Sequence, residues 1–390
     1  MSFLILIIVY LVVVGVGLSA PLLGAAWPSM FAGLGVPESY LGIISVVMTS
    51  ASVVAGIYGG RLLKRFETGR VVAVSILLTA AAILGFALSG RFIFLCIFAV
   101  PLGLGFSMAD VAANNYTALH FKAKHMNWLH CFWGVGAATG PLLLSYGIKR
   151  YDSWRSGYFI IGGILFLIVL VLLLALPQWK KAAGTNTQEE SKRKIPFREL
   201  FKLRGITLSL AAFFCYCSIE SAVGLWGSSY LVFVKNISAE SAAQCISLYF
   251  WGITLGRLLS GFLTMKLGNR QMVRLGYAVI AAGIAMTALP LGDSSYLTGF
   301  IMMGLGCAPI FPCLIHDTPT YFGKEYSPSV IGLQMACSGV GATVMPPLFG
   351  VIAGHAGYTS FPLFLGVILV GMIIAAEMLK RKIQVILTCK

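Results

Sequence analysis

The sequence is short of charge, and above all of acidic side chains. Charged residues make up 11% of its 390 residues, against about 25% in an average soluble domain, and only 13 are Asp or Glu. Because a soluble globule of this length needs a charged surface, this shortage excludes the ordinary soluble classes of protein. Hydrophobic residues account for 58% of the chain. We therefore expect much of its apolar surface to face a lipid bilayer.

Signatures of catalysis, metal binding and nucleic-acid binding are also missing. The sequence has no glycine-rich phosphate-binding loop, and its one long polar stretch, 178–204, is too short for a nucleotide-binding domain, so we expect no enzyme and no cofactor. Cys215 and Cys217 are separated by one residue rather than the two of a metal motif, so we expect no metal site. The net charge of +15 is spread over short clusters between apolar runs, which excludes a nucleic-acid-binding groove.

Long apolar segments recur along the chain. A helix that crosses the bilayer core takes about 20 apolar residues. The first segment is not preceded by the basic region of a secretory signal, so it is predicted to be a membrane helix. The twelve predicted spans are 3–32, 39–62, 70–89, 92–120, 128–149, 156–176, 205–234, 241–265, 270–290, 296–321, 328–353 and 358–379.

The distribution of lysine and arginine predicts the orientation of these spans. An even number of spans places both termini on one side, and the loops on that side contain 22 of the 28 basic residues, against five on the opposite side. Since cytoplasmic loops have the excess of basic residues, we expect both termini and the loop 178–204 to be cytoplasmic. Segments 1–177 and 205–390 are then two six-helix bundles joined by a cytoplasmic linker.

The two halves share small residues at equivalent helices. A Gly-Leu-Gly motif occurs in the fourth and tenth spans, and a Gly-x-Gly-Ala motif followed by proline occurs in the fifth and eleventh spans. These matches lie about 200 residues apart and indicate a duplicated six-helix unit. The matching residues are Gly103, Leu104, Gly105, Gly134, Gly136, Ala137 and Pro141 in the first half, and Gly304, Leu305, Gly306, Gly339, Gly341, Ala342 and Pro346 in the second.

Taken with these repeats, the sequence resembles the major facilitator superfamily over essentially its whole length. The basic glycine loops after the second and eighth spans, which start at Gly60 and Gly261, are similar to the superfamily signature Gly-x-Leu-x-Asp-Arg/Lys-x-Gly-Arg/Lys. Lys64 and Met265 stand at the acidic position, so this chain departs from the signature at the carboxylate with which relatives form a conformational latch. The resemblance implies structural or gating roles for Gly60 and Arg65.

Finer motifs resemble the fucose permease branch of this superfamily. The resemblance implies transport of hexoses and related sugars by symport with protons or, in some members, sodium. One departure is that 11–37 has no acidic residue, whereas the first helix of the fucose permease has one, so we expect no relay of two carboxylates between the first and fourth spans. The motifs are Asp110-Val111-Ala112-Ala113-Asn114-Asn115-Tyr116, Asn127-x-Leu129-His130 with Gly134-x-Gly136 and Gly140-Pro141, Glu220 with Trp226 and Tyr230, and Ala308-Pro309-Ile310-Phe311-Pro312.

Asp110 is the first candidate for proton coupling. An ionisable group inside a membrane is costly and therefore needs a structural partner or a function. Asp110 lies roughly 15 Å from the cytoplasmic end of its span, with Asn114 one turn later on the same face. It also stands where the resemblance implies an acidic residue. The alternative is a carboxyl group held in helix packing by Asn114 or a serine. His130 is the second candidate for coupling, with packing or hydrogen bonding as its alternative role.

Glu220 is the first candidate for substrate binding. It lies roughly 22 Å into the seventh span, where Gly224 and Gly227 allow the helix to bend. Trp226 and Tyr230 add aromatic faces with polar tips, which suit the C–H faces and hydroxyl groups of a sugar. The alternative is aromatic packing around a structural glutamate.

Other residues are the subject of further hypotheses. Arg257 is close enough to the cytoplasmic end of the eighth span to snorkel towards the interface, where it braces this end; the alternative is that it clamps an anionic substrate group. Asn114, Asn115, Gln244 and Gln334 are candidates for contacts with sugar hydroxyls, provided that they face the cavity. Trp133 is a further candidate for substrate binding, although tryptophan in a span more often faces lipid or the interface. Structural or gating roles are assigned to Gly134, Gly136, Pro141, Pro309 and Pro312.

The sequence therefore predicts an all-α membrane protein with twelve transmembrane helices in two pseudo-symmetric six-helix bundles. We expect a monomeric secondary transporter in a bacterial-type inner membrane that imports a sugar-like solute by alternating access. Its partners are this solute, the lipid bilayer and a coupling ion, for which protons are favoured over sodium. Three alternatives stay open: export of apolar drugs, transport of organic anions with Arg257 as the central residue, and a membrane receptor or scaffold that transports nothing.

Overall fold

The computed structural model of the chain describes residues 2–121, 123–183, 197–263, 266–289, 292–323 and 325–388. Within these ranges all regular structure is helical. Met265 of the second basic loop lies outside the described residues, as do the side chains of Lys64 and Asn127. The α-helices are α1 (Ser2–Ser19), α2 (Leu22–Met30), α3 (Leu41–Arg65), α4 (Thr68–Leu88), α5 (Phe92–His120), α6 (Ala123–Tyr151), α7 (Trp154–Ala183), α8 (Phe197–Leu200), α9 (Ile206–Lys235), α10 (Ala239–Leu263), α11 (Asn269–Ala288), α12 (Asp293–Phe322), α13 (Ser327–Ala356) and α14 (Phe361–Thr388).

The predicted spans are helical in the structure. Among the described residues, eleven helical stretches are long and apolar enough to cross a membrane, and the first of them, Leu4–Met30, comprises α1 and α2. The remaining predicted span corresponds to α10, which is not one of these eleven. With 25 residues, α10 extends about 37 Å, which is enough for the bilayer core. The all-α membrane fold predicted from the sequence is confirmed.

Large apolar side chains remain exposed along these helices. Leu174 on α7 is 81% exposed, and Leu363 on α14 is 72% exposed. A soluble protein buries such side chains, because leaving each one in water costs about 1.5 to 3 kcal/mol. A bilayer surrounds them with hydrocarbon instead, so these surfaces are those of a membrane protein.

The first predicted span, 3–32, is interrupted in the structure. α1 ends at Ser19 and α2 begins at Leu22, with Pro21 between them. Proline has no backbone N–H group, and its ring clashes with the turn before it, so Pro21 does not continue α1. The carbonyl group of Pro21 then accepts a hydrogen bond from the Ala25 N–H group at the start of α2. The predicted span is confirmed as Leu4–Met30, and what the sequence did not predict is the break in its helix at Pro21.

Several helices are longer than the predicted spans. α6 begins at Ala123 rather than 128, α7 ends at Ala183 rather than 176, and α14 ends at Thr388 rather than 379. The apolar pattern marks the part of a helix that is compatible with lipid. Backbone hydrogen bonding continues beyond that part, because polar side chains in the end turns do not disrupt a helix.

The chain forms two compact units. The first comprises Met1–Gln188 and Gly224–Phe250, and the second comprises Glu189–Val223 and Trp251–Lys390. One half of α9 and one half of α10 therefore belong to each unit. The predicted division into bundles at 178–204 stays a prediction, and residues 184–196 of that linker lie outside the described ranges.

In the first unit, glycines allow pairs of helices to touch through their backbones. Gly17 on α1 and Gly136 on α6 face each other, and a methyl group on either one would overlap the backbone of the other helix. Gly103 on α5 lies against a backbone carbonyl group of α3, and Gly105 lies against one of α4. Small residues at such crossings are typical of close helix packing in membranes.

In the second unit, the corresponding glycines lie at equivalent crossings. Gly306 on α12 meets the backbone of α11, where an added methyl group would lie 2.7 Å from the carbonyl oxygen of Gly276. Gly304 on α12 lies against Gly252 of α10, and Gly341 on α13 lies against the backbone of α9. The repeated sequence motifs therefore correspond to repeated helix crossings, as expected of a duplicated unit.

The segment Gly224–Phe250 packs into the first unit through uncharged hydrogen bonds. Ser228 on α9 donates to a carbonyl group of α2 over 3.1 Å, and Ser247 on α10 donates to a carbonyl group of α6. The amide of Gln244 on α10 donates to the hydroxyl oxygen of Ser145 on α6 over 3.1 Å. Hydroxyl and amide groups thus connect this segment to α2 and α6.

One core of the second unit lies where α8, α9, α12, α13 and α14 meet. The short α8 contributes an apolar side chain to this core and so anchors the chain just before α9. The buried residues of this core are Leu200, Ile206, Leu210, Phe322, Val330, Leu379 and Ile383.

Candidate functional site

Asp110 lies in the interior of α5, in the first unit. Its half-buried carboxylate accepts a 3.1 Å hydrogen bond from the amide of Asn114, which also donates to the Asp110 backbone carbonyl group over 2.9 Å. Among the described side chains, the ion pairs involve other carboxylates, and none includes Asp110. The carboxyl group therefore has an amide partner without a positive charge, and it can take up a proton without breaking an ion pair.

The other predicted residues of α5 and α6 are distributed over both helices. Asn115 is exposed and points about 100° away from Asn114 around α5. His130 is exposed on α6. Trp133 is half-buried, and its ring packs edge to face against Phe250 at 6.2 Å. Of the predicted site residues described in this unit, the structure brings Asn114 into hydrogen-bonding contact with Asp110.

Trp226 and Tyr230 lie in the half of α9 that belongs to the first unit. Trp226 is completely buried, and Tyr230 is 2% exposed. They follow Glu220 by six and ten residues, which places them about 120° and 80° away from its direction around the helix. Trp226 and Tyr230 therefore share a face of α9 with each other more closely than with Glu220.

Glu220 on α9 and Arg257 on α10 form an ion pair inside the second unit. Arg257 Nη2 lies 3.9 Å from Glu220 Oε1, and the two side chains are 19% and 17% exposed. The sequence predicted that Arg257 snorkels towards the interface. In the structure it contacts Glu220, because opposite charges inside a membrane stabilise each other at a depth where a single charge is costly.

Two buried hydroxyl groups lie beside this ion pair. Tyr216 precedes Glu220 by one helical turn, so it shares the same face of α9, and its side chain is 1% exposed. Ser338 on α13 is 6% exposed and lies next to Cys217, which is itself close to Glu220 and Arg257. The Tyr216 hydroxyl group lies beside the Glu220 carboxylate and the Ser338 hydroxyl group beside the Cys217 thiol, but neither makes a hydrogen bond of ordinary length and angle to a described residue. Tyr216, Glu220, Arg257 and Ser338 are called the Glu220 cluster below.

Gln334 on α13 is placed in a different part of the second unit. Its side chain is 1% exposed, and its amide nitrogen donates to Ser209 on α9 over 2.8 Å. It also exchanges hydrogen bonds with Thr318 on α12 at 3.1 and 3.2 Å. These contacts connect three helices and favour a packing role, whereas the sequence predicted a contact with substrate.

The residues predicted to have structural roles divide into a buried and an exposed group. A methyl group on Gly60 would meet no atom within 4 Å, so close packing does not explain this glycine. Arg65 lies at the end of α3, with its guanidinium carbon 5.8 Å from the centre of the Phe66 ring. The buried group is Gly134, Gly136, Pro141 and Pro309, and the exposed group is Gly60, Arg65 and Pro312.

The sequence reasoning missed the ion pair and both hydroxyl groups of the Glu220 cluster. The pair has a signal in the sequence, because Glu220 and Arg257 are ionisable residues inside consecutive spans, and such residues pair in membranes. Tyr216 has a signal in its spacing of four residues from Glu220. Ser338 has no such signal, since only the three-dimensional structure shows that α13 crosses α9.

Taken together, the fold and these polar groups define a class of protein. Among the described residues, no group of three His, Cys, Asp or Glu side chains could hold a metal ion. The buried polar groups are instead hydrogen-bonding and ionisable residues inside membrane-spanning helices, and such residues typically mark the path of a solute or ion. Many spans, a duplicated unit and intramembrane polar groups together define a membrane carrier.

Comparison with known proteins identifies the family. The model of the Major Facilitator Superfamily matches residues 7–245 and 228–383. The chain belongs to this superfamily, as its sequence motifs predicted. It is therefore a multi-pass membrane transporter and not an enzyme.

Three relatives cover most of the chain. "Bypass of stop codon protein 6" of Saccharomyces cerevisiae is 27% identical over 386 residues, which cover 89% of this chain and 76% of the relative. "Glucose/mannose transporter GlcP" of Bacillus subtilis is 22% identical, and the match covers 74% of this chain and 73% of that protein. "Cis,cis-muconate transport protein" of Acinetobacter baylyi is 22% identical, and the match covers 80% of this chain and 78% of that protein.

Solved structures share the fold. The peptide transporter POT in complex with sulfate superposes with a TM-score of 0.76 at 16% identity, and the match covers 97% of this chain and 95% of that one. A D-xylose-proton symporter superposes with a TM-score of 0.74 at 14% identity, and the match covers 97% of both chains. These likenesses support the same helical architecture.

Proposed function

We propose that this transporter moves a sugar or a related small polar solute together with protons. The observation that supports it most directly is Asp110, a carboxylate inside α5 with an amide partner and, among the described residues, no ion pair. A glucose/mannose transporter among the relatives and a proton symporter of the same fold agree with this function.

Asp110 is proposed as the proton-coupling residue, with His130 as the second candidate. A coupled transporter needs a group that binds a proton on one side of the membrane and releases it on the other. Each charge that crosses 100 mV contributes about 2.3 kcal/mol, which is enough to concentrate a neutral solute almost fiftyfold. One titrating carboxyl group is therefore sufficient for uphill transport.

Glu220 is proposed as the residue that binds the solute most strongly. A carboxylate accepts hydrogen bonds from hydroxyl groups, and hydrogen bonds to a charged group contribute about 1.5 to 3 kcal/mol. Asn114, Asn115, Trp133, Trp226 and Tyr230 remain proposed contacts from the sequence, whereas Gln334 is proposed to have a packing role because its amide is bonded to Ser209 and Thr318. Trp226 is completely buried, so it would take part only after a conformational change.

Transport is proposed to follow alternating access between two six-helix bundles, 1–177 and 205–390, joined by 178–204. The excess of basic residues in alternate loops supports cytoplasmic termini in the inner membrane of a bacterial-type cell. The monomer is proposed as the functional unit. These statements rest on the sequence and on membership of the superfamily.

Transport into liposomes tests this function. The purified full-length protein is reconstituted, and uptake of labelled glucose and mannose is followed under an imposed pH gradient, acidic outside. We expect accumulation above the external concentration, loss of accumulation with a protonophore, and no change when sodium is replaced by choline. Equilibration without accumulation, or accumulation that requires sodium, would refute proton coupling.

An organic anion is the second candidate solute. It is favoured by the muconate transport protein among the relatives. Labelled muconate in the same liposomes separates the two candidates. If muconate accumulates and the hexoses do not, the transporter is an anion carrier.

A further inference from the structure

Glu220 and Arg257 lie close together without a short hydrogen bond between the atoms that form the ion pair. Their nitrogen and oxygen atoms are 3.9 Å apart, whereas a charge-assisted hydrogen bond is about 2.7 to 2.9 Å long. The pair therefore attracts through charge while the carboxylate oxygen remains able to accept a hydrogen bond from a ligand. Both side chains are also partly exposed, which a ligand needs in order to reach them.

The neighbouring hydroxyl groups indicate that something else binds here. Tyr216 and Ser338 are more than nine-tenths buried, and neither hydroxyl oxygen makes a hydrogen bond of ordinary geometry to a described residue, although Glu220 and Cys217 lie close to them. Leaving a buried polar group unsatisfied costs about 1 to 3 kcal/mol, so such groups are normally paired with protein, water or a ligand. Two such hydroxyl groups beside this ion pair could therefore form better hydrogen bonds with a ligand than they form with their protein neighbours.

We propose that the Glu220 cluster is a binding subsite for the hydroxyl groups of a neutral sugar. One sugar hydroxyl donates to Glu220 and accepts from Arg257, which a hydroxyl group can do at the same time. A second hydroxyl of the same ring bonds to Tyr216 or Ser338. This inference rests on the proposed function and narrows its solute to a class without charge.

The charge of the cluster selects against anions. Glu220 and Arg257 together have no net charge, so Arg257 is not available as an isolated cation for a carboxylate or phosphate group. An anion that approached Arg257 would also approach the negative charge of Glu220, and like charges at short range repel strongly where water is scarce. The cluster therefore fits a hexose better than a sugar acid, a sugar phosphate or a dicarboxylate such as muconate.

Calorimetric titration of the full-length protein in detergent tests this subsite by binding alone. The probes are glucose and mannose as neutral hexoses, and gluconate, glucose 6-phosphate and muconate as anions. We expect at least one hexose to bind at least tenfold more tightly than each anion. Glu220→Gln should weaken binding of this hexose about tenfold or more, because a hydrogen bond to a charged group is lost. The same variant should bind gluconate more tightly than the natural chain does, because Arg257 then lacks its negative neighbour.

Two hydroxyl variants and a matched control examine the rest of the cluster. Tyr216→Phe and Ser338→Ala should each weaken hexose binding by about two- to tenfold. Tyr277→Phe is the control, because Tyr277 also has a buried hydroxyl oxygen without a partner among the described residues but belongs to α11, with Glu377 and Tyr321 as neighbours. Hexose affinity should be unchanged in this variant. Arg257→Gln is an independent test, and it should weaken hexose binding while the anions remain excluded.

Three results would overturn the subsite. The first is tighter binding of an anion than of both hexoses, and the second is binding of neither hexose. The third is unchanged hexose affinity in both Tyr216→Phe and Ser338→Ala, which would show that these two hydroxyl groups bind water and not the sugar. Failure of the proposed function is distinguishable from these results. If hexoses bind as expected but do not accumulate in liposomes, proton coupling is wrong and the subsite stands.

Discussion

The guanidinium group of Arg257 on α10 faces the carboxylate of Glu220 on α9, and 3.9 Å separate their closest atoms. At this separation the two residues stabilise each other mainly through charge. Both side chains keep close to one fifth of their surface exposed, so surrounding polar groups reduce the attraction without removing it.

Removal of one charge from this pair should destabilise the protein, and removal of both should restore it. Arg257→Met leaves the Glu220 carboxylate without its counter-ion, and we expect the free energy of unfolding to fall by about 1 to 3 kcal/mol. The double variant with Glu220→Gln has no stranded charge and should recover most of this loss. Thermal unfolding in detergent measures the difference. Strictly additive losses in the double variant would show that the two charges do not interact.

Asp110→Asn should separate exchange of the solute from its accumulation. The amide preserves the shape of the side chain and resembles the protonated carboxyl group, but it does not bind and release a proton. We expect liposomes with this variant to exchange labelled for unlabelled hexose and to fail to concentrate it under a pH gradient. The matched control is Asp152→Asn in the turn after α6, where φ is 50° and asparagine is tolerated. If the Asp110 variant still concentrates hexose, the coupling residue is elsewhere, and His130 is tested next.

Gly306→Ala should destabilise the second unit. The added methyl group would lie 2.7 Å from the carbonyl oxygen of Gly276 on the neighbouring helix, so the two helices must separate. Overpacking of this kind costs about 1 to 3 kcal/mol. Gly366→Ala on α14 is the control, because a methyl group there meets no atom within 4 Å. Equal midpoints of thermal unfolding for the two variants would contradict the tight crossing.

Gln334→Leu distinguishes packing from substrate binding. The substitution leaves Ser209 and Thr318 without a hydrogen-bond partner that they have in the natural chain, so we expect about 1 to 3 kcal/mol less stability. Hexose affinity, measured by calorimetry below the unfolding temperature, should stay the same. Weaker hexose binding at unchanged stability would instead show that Gln334 contacts the substrate.

A covalent link between Gln244 and Ser145 should stop transport. Their side chains are 3.1 Å apart, so Gln244→Cys and Ser145→Cys place two thiols within reach of a short bifunctional maleimide. If α10 must leave α6 during alternating access, the linked protein should lose hexose uptake. Each single variant treated with the same reagent is a control for modification alone. Full uptake by the linked protein would show that this contact does not open.

The sequence predicted the helices well because the bilayer dictates them. The hydrocarbon core of a bilayer contains no hydrogen-bonding groups, so a long apolar segment has to form its backbone hydrogen bonds within itself. A helix does this. The duplication could also be predicted from the repeated glycines. Gly105 and Gly306 occur in equivalent spans, and in the structure each contacts the backbone of a neighbouring helix. The break at Pro21 was missed because the apolar pattern continues through the proline without a polar interruption.

The candidate site was less predictable because it depends on which helix faces meet. Glu220 and Arg257 were each recognised as charged residues in a span, but their contact requires the rotation and position of α9 and α10. The same reason applies to Ser338, which lies on α13 more than a hundred residues further along the chain. Gln334 illustrates the opposite case, because an amide that could have faced a solute has protein partners.

The segment Gly224–Phe250 is connected to α2 and α6 by hydrogen bonds of serine hydroxyl groups and of the Gln244 amide. None of these groups titrates at physiological pH. If the transporter is coupled to protons as proposed, the pH differs between the two sides of the membrane, but these hydrogen bonds have the same strength at either pH. Salt does not screen them in the way that it screens ion pairs. Under the proposed coupling, acidity would therefore act on the protein through ionisable residues such as Asp110, while the contact of Gly224–Phe250 with α2 and α6 would not depend on the pH gradient.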